Sequence, residues 1–200
     1  AFIAAFFSAA LTYNAREVFH GRDPTLNEGL AAAWRNRGEL FAWAVVSAVV
    51  GVVLRAIESR EGPVADIVAA VFSVAWGVLT YFVVPVIVFE EVSVGEMFER
   101  SGRTFTETWG EAAGAGFGVG IVTVLFTLVG LAVAAVLFVT LGGTGVGVLV
   151  AVAVAVLAVL LSYLFGTTLG SIAKTALYVY ATEGTRPAPF ENVDFADATR

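Results

Sequence analysis

Long apolar runs alternate with short polar segments along this chain, and the runs read as helices. The central one, Val64–Phe89, is broken near its end by Pro85. At about 1.5 Å per residue it exceeds the thickness of membrane hydrocarbon, so a tilt or kink is expected. Pro85 removes one backbone donor near the last turns. The polar step Glu90-Glu91 follows, and then Val94, Met97, Phe98, Ser101, Phe105 and Trp109 recur at helical spacing. Glu96, Glu99, Arg100, Arg103 and Glu107 fill much of the remainder, which predicts an amphipathic helix.

The polar segment Asn14–Glu39 predicts a similar helix. Asp23-Pro24-Thr25 is a helix start, and Thr25 and Glu28 have capping-box spacing. Leu26, Leu30, Ala33, Trp34 and Arg37 share a stripe, as in a helix lying on a membrane surface with Trp34 at headgroup depth.

The other runs are expected to span. Ala1–Tyr13 is too short to cross, so residue 1 is expected to lie partway along a span with more chain upstream. Residues 40–57 form a short span if Arg55 snorkels, with Trp43 at one interface. The turn Glu58–Pro63 leads to the 64–89 span. A span over 114–140 opens with alternating glycines, and Leu141–Gly147 links it to a span over 148–170. Gly116 and Gly120, like Gly166 and Gly170, have small-xxx-small spacing, so they are candidate helix-packing positions. The last helix is expected to continue through Lys174 to Thr182. Residues 1–182 thus form one transmembrane helical domain, and 183–200 a polar, disordered cytoplasmic tail.

Composition points the same way. Of 200 residues, 58% are hydrophobic and 14% charged, and mean hydropathy is +0.87. A soluble domain carries about 25% charged residues, enough to cover its core with a wetted surface. No cysteine is present, which excludes disulfides and thiolate chemistry. The lone histidine, His20, is expected to be solvated and not a metal ligand. The net charge of −6 offers no basic patch for nucleic acid. Acidic residues with Lys174 as the sole lysine suggest a salt-loving host.

The basic residues set the orientation. Arg16, Arg22, Arg35 and Arg37 fall in the first polar segment, Arg100 and Arg103 in the second, and Lys174, Arg186 and Arg200 at the end. With five spans all lie on one side, and Arg55 and Arg60 on the other. The positive-inside rule places both surface helices and the C-terminus in the cytoplasm.

Chemistry is sparse. No ionisable residue is expected at mid-depth in a span, which weakens a proton-coupled transporter. No nucleophile is paired with a histidine, no glycine-rich phosphate loop precedes a lysine, and no metal-ligand cluster is evident. No catalytic, cofactor-binding or metal-binding residues are therefore assigned, and no cofactor is expected. The candidate interfacial motif is Pro85, Glu90, Glu91, Arg100, Ser101 and Trp109. If the chain folds back at Ser93–Gly95, Glu90 and Glu91 meet Arg100 and Arg103. Those charges either pin the surface helix to the headgroup layer or contact a headgroup or ligand.

The run PVIVFEEVSVGEMFERSGRTFTETWGE resembles a motif of several poorly characterised multi-span families. Its parts are a proline near the end of a span, a glutamate just after it, and an Arg-Ser pair on the next helix, here Arg100-Ser101. The chain resembles most a domain-of-unknown-function family of membrane proteins common in haloarchaea. AFFSAAL, DPTLNEGLAAAWR, WAVVSAVVGVVLRAIESR and AWGVLTYFVVPVIVFE carry the same resemblance. A more distant similarity is to the membrane domain of some glycerophosphodiester phosphodiesterases, whose catalysis lies in a separate soluble domain. The resemblance implies a further span upstream and no activity.

The expected fold is therefore an all-α, polytopic transmembrane helix bundle with two interfacial amphipathic helices. The expected function is a non-enzymatic structural, lipid-associated or partner-binding module of the cell membrane. A permease-like transport component is the alternative, and an accessory domain of a lipid enzyme a third. The expected partners are the lipid bilayer and a membrane protein or a second copy of the chain.

Overall fold

The computed structural model describes residues 1–60, 62–90 and 92–184, with only the backbone of 111–113. Among the described residues regular structure is all helical: α1 (Phe2–Phe19), α2 (Leu26–Arg35), α3 (Arg37–Glu58), α4 (Pro63–Thr80), α5 (Val83–Phe89), α6 (Val94–Glu107), α7 (Trp109–Leu141) and α8 (Gly145–Glu183). Four segments are long and apolar enough to cross a membrane: Arg37–Glu58, Pro63–Phe89, Gly114–Leu141 and Gly145–Glu183. Their large side chains are exposed, with Val52 at 68%, Val64 at 73% and Val139 at 83%. Apolar surface on that scale, over helices whose backbone bonds close internally, suits lipid and not water. The protein is an all-α membrane protein.

By contacts the chain divides into two compact units, Ala1–Ala112 together with the chain from Lys174, and Ala113–Ala173. In the first, α1 does not stop at Tyr13. The helix continues through Asn14 to Phe19, and its buried face is Ala5, Ala9, Ala10, Thr12 and Ala15. Packing of small residues against α2 holds the polar part of α1 helical.

Thr25 caps α2 as its spacing predicts: its N–H donates to Glu28 at 2.7 Å, and Glu28 N–H donates back to its hydroxyl. The inward face of α2 differs from the expected stripe. Gly29, Ala32 and Ala33 are buried, while Leu26 and Trp34 are 69% and 61% exposed. A Cβ at Gly29 would lie 2.6 Å from Asn14 Oδ1 and 2.7 Å from the Ala10 carbonyl. The helices approach too closely there for large residues.

The expected kink near Pro85 is a full interruption four residues earlier. Helix α4 ends at Thr80 and α5 begins at Val83. Pro85 has no N–H for the carbonyl of Tyr81, and its ring crowds that carbonyl. Tyr81 N–H falls back to Val78 O at 3.4 Å. The short α5 is then buried, with Val83, Val86 and Ile87 at 0–2% exposure. Trp43 of α3 stacks on Trp76 of α4 at 5.8 Å, and Phe98 of α6 packs against both rings.

Ser93 starts α6. Its N–H and hydroxyl donate to the Glu96 carboxylate at 2.9 and 2.6 Å, the bonds to Ser93 holding that carboxyl below its ordinary range. Met97, Ser101, Thr104 and Phe105 are buried. Trp109 leaves the predicted stripe: α6 ends at Glu107, and Trp109 opens α7 at 64% exposure.

In the second unit, α7 and α8 form an antiparallel pair. Phe126 stacks on Phe165 at 5.3 Å, Gly130 faces Ala158, and a Cβ at Gly166 would lie 2.7 Å from Thr123 Oγ1. A Cβ at Gly116, Gly120 or Gly170 would meet no atom within 4 Å.

Candidate functional site

The site begins where α5 ends. Glu90 caps that helix in extended conformation, and its N–H still reaches Val86 O at 2.9 Å. The chain then reverses into α6, and the first turns of α6 bring Arg100 back to Glu90. Arg100 Nη1 lies 3.3 Å from Glu90 Oε2. The other carboxylate oxygen, Oε1, accepts from the Tyr178 hydroxyl of α8. Glu90 thus joins three helices, with its side chain 24% exposed.

A second cluster stands beside it. Arg16 of α1 donates to Glu183 Oε1 through Nε at 3.0 Å and Nη2 at 2.6 Å. Its guanidinium also lies 4.6 Å above the Phe89 ring. His20 Nε2 is 2.7 Å from Glu183 Oε2, and its Nδ1 is 2.7 Å from the Arg16 carbonyl. One carboxylate at the end of α8 therefore bonds both Arg16 of α1 and His20, the residue that caps that helix.

A cavity of about 430 Å³ lies between these clusters. One wall is a stripe of α6: Arg100, Arg103, Thr104 and Glu107, at i, i+3, i+4 and i+7. The facing wall is Tyr178, Ala181 and Thr182 of α8. Arg16, Phe89, Glu90 and Glu183 complete the lining. Among the described residues no three His, Cys, Asp or Glu side chains converge as metal ligands.

Of the motif residues, Glu90 and Arg100 meet directly. Pro85 and Ser101 meet through the α4–α5 break: Ser101 Oγ accepts the Phe82 N–H at 2.9 Å. Trp109 is not part of the lining of the cavity that holds Glu90; its ring packs on Phe105 at 6.2 Å between centroids. Glu91 lies outside the described residues. Sequence reasoning missed Arg16, His20, Tyr178 and Glu183. The i, i+4 spacing of Arg16 and His20 hinted at a shared partner. Nothing in the sequence pointed to Glu183, which was expected to open a disordered tail and instead closes α8. The rest of that tail, 185–200, lies outside the described residues.

A family model described as a family of unknown function (DUF6159) matches residues 1–188, and the chain belongs to that family. No curated protein and no solved structure matches the chain.

Proposed function

We propose that the protein is a non-enzymatic, lipid-associated module of the cell membrane, with both short amphipathic helices and the C-terminus in the cytoplasm. The observation that carries this reading is the polar cavity between α6 and α8, in a unit whose spanning helices are exposed and apolar. Its arginines, threonines and glutamates suit a headgroup. Its charges, Glu107 apart, are held in ion pairs and not arranged as a nucleophile beside a base. The distribution of basic residues supports the orientation: Arg16, Arg22, Arg35, Arg37, Arg100 and Arg103 fall in the two polar helical segments, against Arg55 and Arg60 at the far end of the first full span. The acidic, lysine-poor composition and the haloarchaeal resemblance support a salt-loving host.

The test is to purify the chain in a mild detergent, measure bound lipid per protein, and record thermal unfolding before and after delipidation. Retained lipid and a lower unfolding temperature on its removal are expected. A chain that keeps no lipid and unfolds at the same temperature sinks the reading. A C-terminal tag that reports from outside the cell sinks the orientation.

A permease-like component is the second reading. It is favoured by the interruption at Tyr81–Phe82, beside which the Lys174 ammonium lies 4.7 Å above the Tyr81 ring. Broken helices with an ionisable neighbour are how many transporters build a site. Solute flux into proteoliposomes that Lys174→Met abolishes would favour it over the first reading.

A further inference from the structure

The cavity between α6 and α8 has a more specific chemistry, and the inference drawn from it rests on the lipid-associated reading. Its ionised groups are largely committed to one another. Arg100 faces Glu90, Arg103 faces Glu99 at 2.7 Å, and Arg16 faces Glu183. Among the lining residues three arginines stand against three glutamates, so the formal charges cancel. A net anion meets carboxylates there, and a net cation meets guanidiniums.

Hydrogen-bonding capacity, by contrast, is left over. A guanidinium has five N–H donors and an ionised carboxylate about four lone-pair sites. Arg100 and Arg103 use only part of theirs in these pairs, whereas Glu183 is already bonded by Arg16 and His20. Glu107 makes no ion pair among the described residues, and Thr104 contributes a hydroxyl to the same wall. A hydroxyl group both donates and accepts. A ligand with several adjacent hydroxyls therefore bonds the spare N–H groups and lone pairs while leaving every ion pair in place. Phe89 and Tyr178, with ring centroids 5.7 Å apart, supply apolar surface for its C–H face. The volume falls in the range of small-molecule sites, about 300–1,000 Å³. We propose that this cavity binds a polyhydroxylated group: a sugar, carried by a glycosylated lipid or free in solution.

The test uses the full chain, purified in a detergent without sugar and placed in nanodiscs. These hold equal amounts of a glucosyl diacylglycerol, a phosphatidylglycerol and a phosphatidylethanolamine with the same acyl chains. Native mass spectrometry reads the retained lipid. The glucosyl lipid is expected to be retained about tenfold over both phospholipids, the factor that one or two hydrogen bonds supply. Ala181→Leu fills the cavity without touching a charge, and Glu107→Leu removes an acceptor that no described partner needs for folding. Both are expected to abolish the preference while leaving the unfolding temperature unchanged. Displacement by millimolar free maltose assigns the site to a soluble sugar, and retention despite maltose assigns it to a headgroup; either supports hydroxyl recognition. Preference for a phospholipid, or a glucosyl preference that survives both substitutions, overturns the proposal. Equal retention of all three lipids also overturns it, yet leaves the lipid-associated reading standing. Loss of all lipid removes both.

Discussion

The backbone N–H of Phe82 donates to the hydroxyl of Ser101 at 2.9 Å, and both residues are fully buried. Phe82 is the residue at which the third span comes apart, so its N–H has no carbonyl of its own helix to use. Ser101 supplies the acceptor from α6. Replacing it with alanine leaves a buried donor unsatisfied, which costs about 1–3 kcal/mol. Ser101→Ala is expected to lower stability in detergent by that amount. In a Pro85→Ala background, where the helix can close its own ladder, the same change is expected to cost less. Denaturation of the two single variants and the double variant measures that coupling, and strict additivity would show that the break does not depend on Pro85.

Tyr178 and Arg100 both reach Glu90 but are expected to differ in weight. The Arg100 side chain is 52% exposed, so its single contact is worth under about 1 kcal/mol. The Tyr178 hydroxyl is a donor to a charged acceptor in a part-buried setting, a class worth about 1.5–3 kcal/mol. Tyr178→Phe is thus expected to destabilise more than Arg100→Ala. The reverse order in thermal unfolding would mean that the arginine, not the tyrosine, holds α5 in place.

Glu183 tethers the end of α8 to α1 through Arg16 and His20. Because the chain has no cysteine, spin labels can be placed at chosen sites without removing native thiols. With labels at Val18 and Thr182, Glu183→Gln is expected to broaden the distance distribution measured by electron paramagnetic resonance. An unchanged distribution would show that helix packing alone fixes this end.

Gly29 and Gly38 make a matched pair. A Cβ at Gly29 would overlap Asn14 and the Ala10 carbonyl, whereas one at Gly38 would meet nothing within 4 Å. Gly29→Ala is expected to cost about 1–3 kcal/mol through overpacking. Gly38→Ala is expected to be neutral or stabilising, since the second change only restricts the unfolded chain. Unfolding temperatures of the two variants in one detergent check both.

The start of α6 is expected to respond to acid. Glu96 titrates below its ordinary value because it accepts two bonds from Ser93. A group depressed in the folded state contributes stability above its unfolded value, about pH 4.3 for glutamate. That contribution is lost as pH falls through the lower folded value. The Ser93 amide resonance is expected to move upfield over that acid range in the native chain, and to stay fixed in Glu96→Gln. A resonance that titrates in both would assign the change to another group.

Much of the helical plan was legible along the chain. Apolar runs near bilayer length, the Thr25–Glu28 cap and the 3.6-residue stripe of α6 are all local properties. Each depends on neighbours within a turn or two, so the order of residues carries them. Even the break was partly visible, because Pro85 acts on the carbonyl four residues before it. The continuation of α1 past Tyr13 was not, because its polar end is held by distant parts of the chain: α2, α5 and the Glu183 carboxylate of α8.

The amino-acid sequence by itself determined the solvent this protein needs, the positions of its long helices and the place where the third one cannot continue, since backbone donors and apolar length are counted residue by residue. Tertiary structure alone decided which polar groups meet across long stretches of chain. Glu90 finds Tyr178 across 88 residues and Arg16 finds Glu183 across 167, pairings that depend on how helices cross and that no local periodicity encodes.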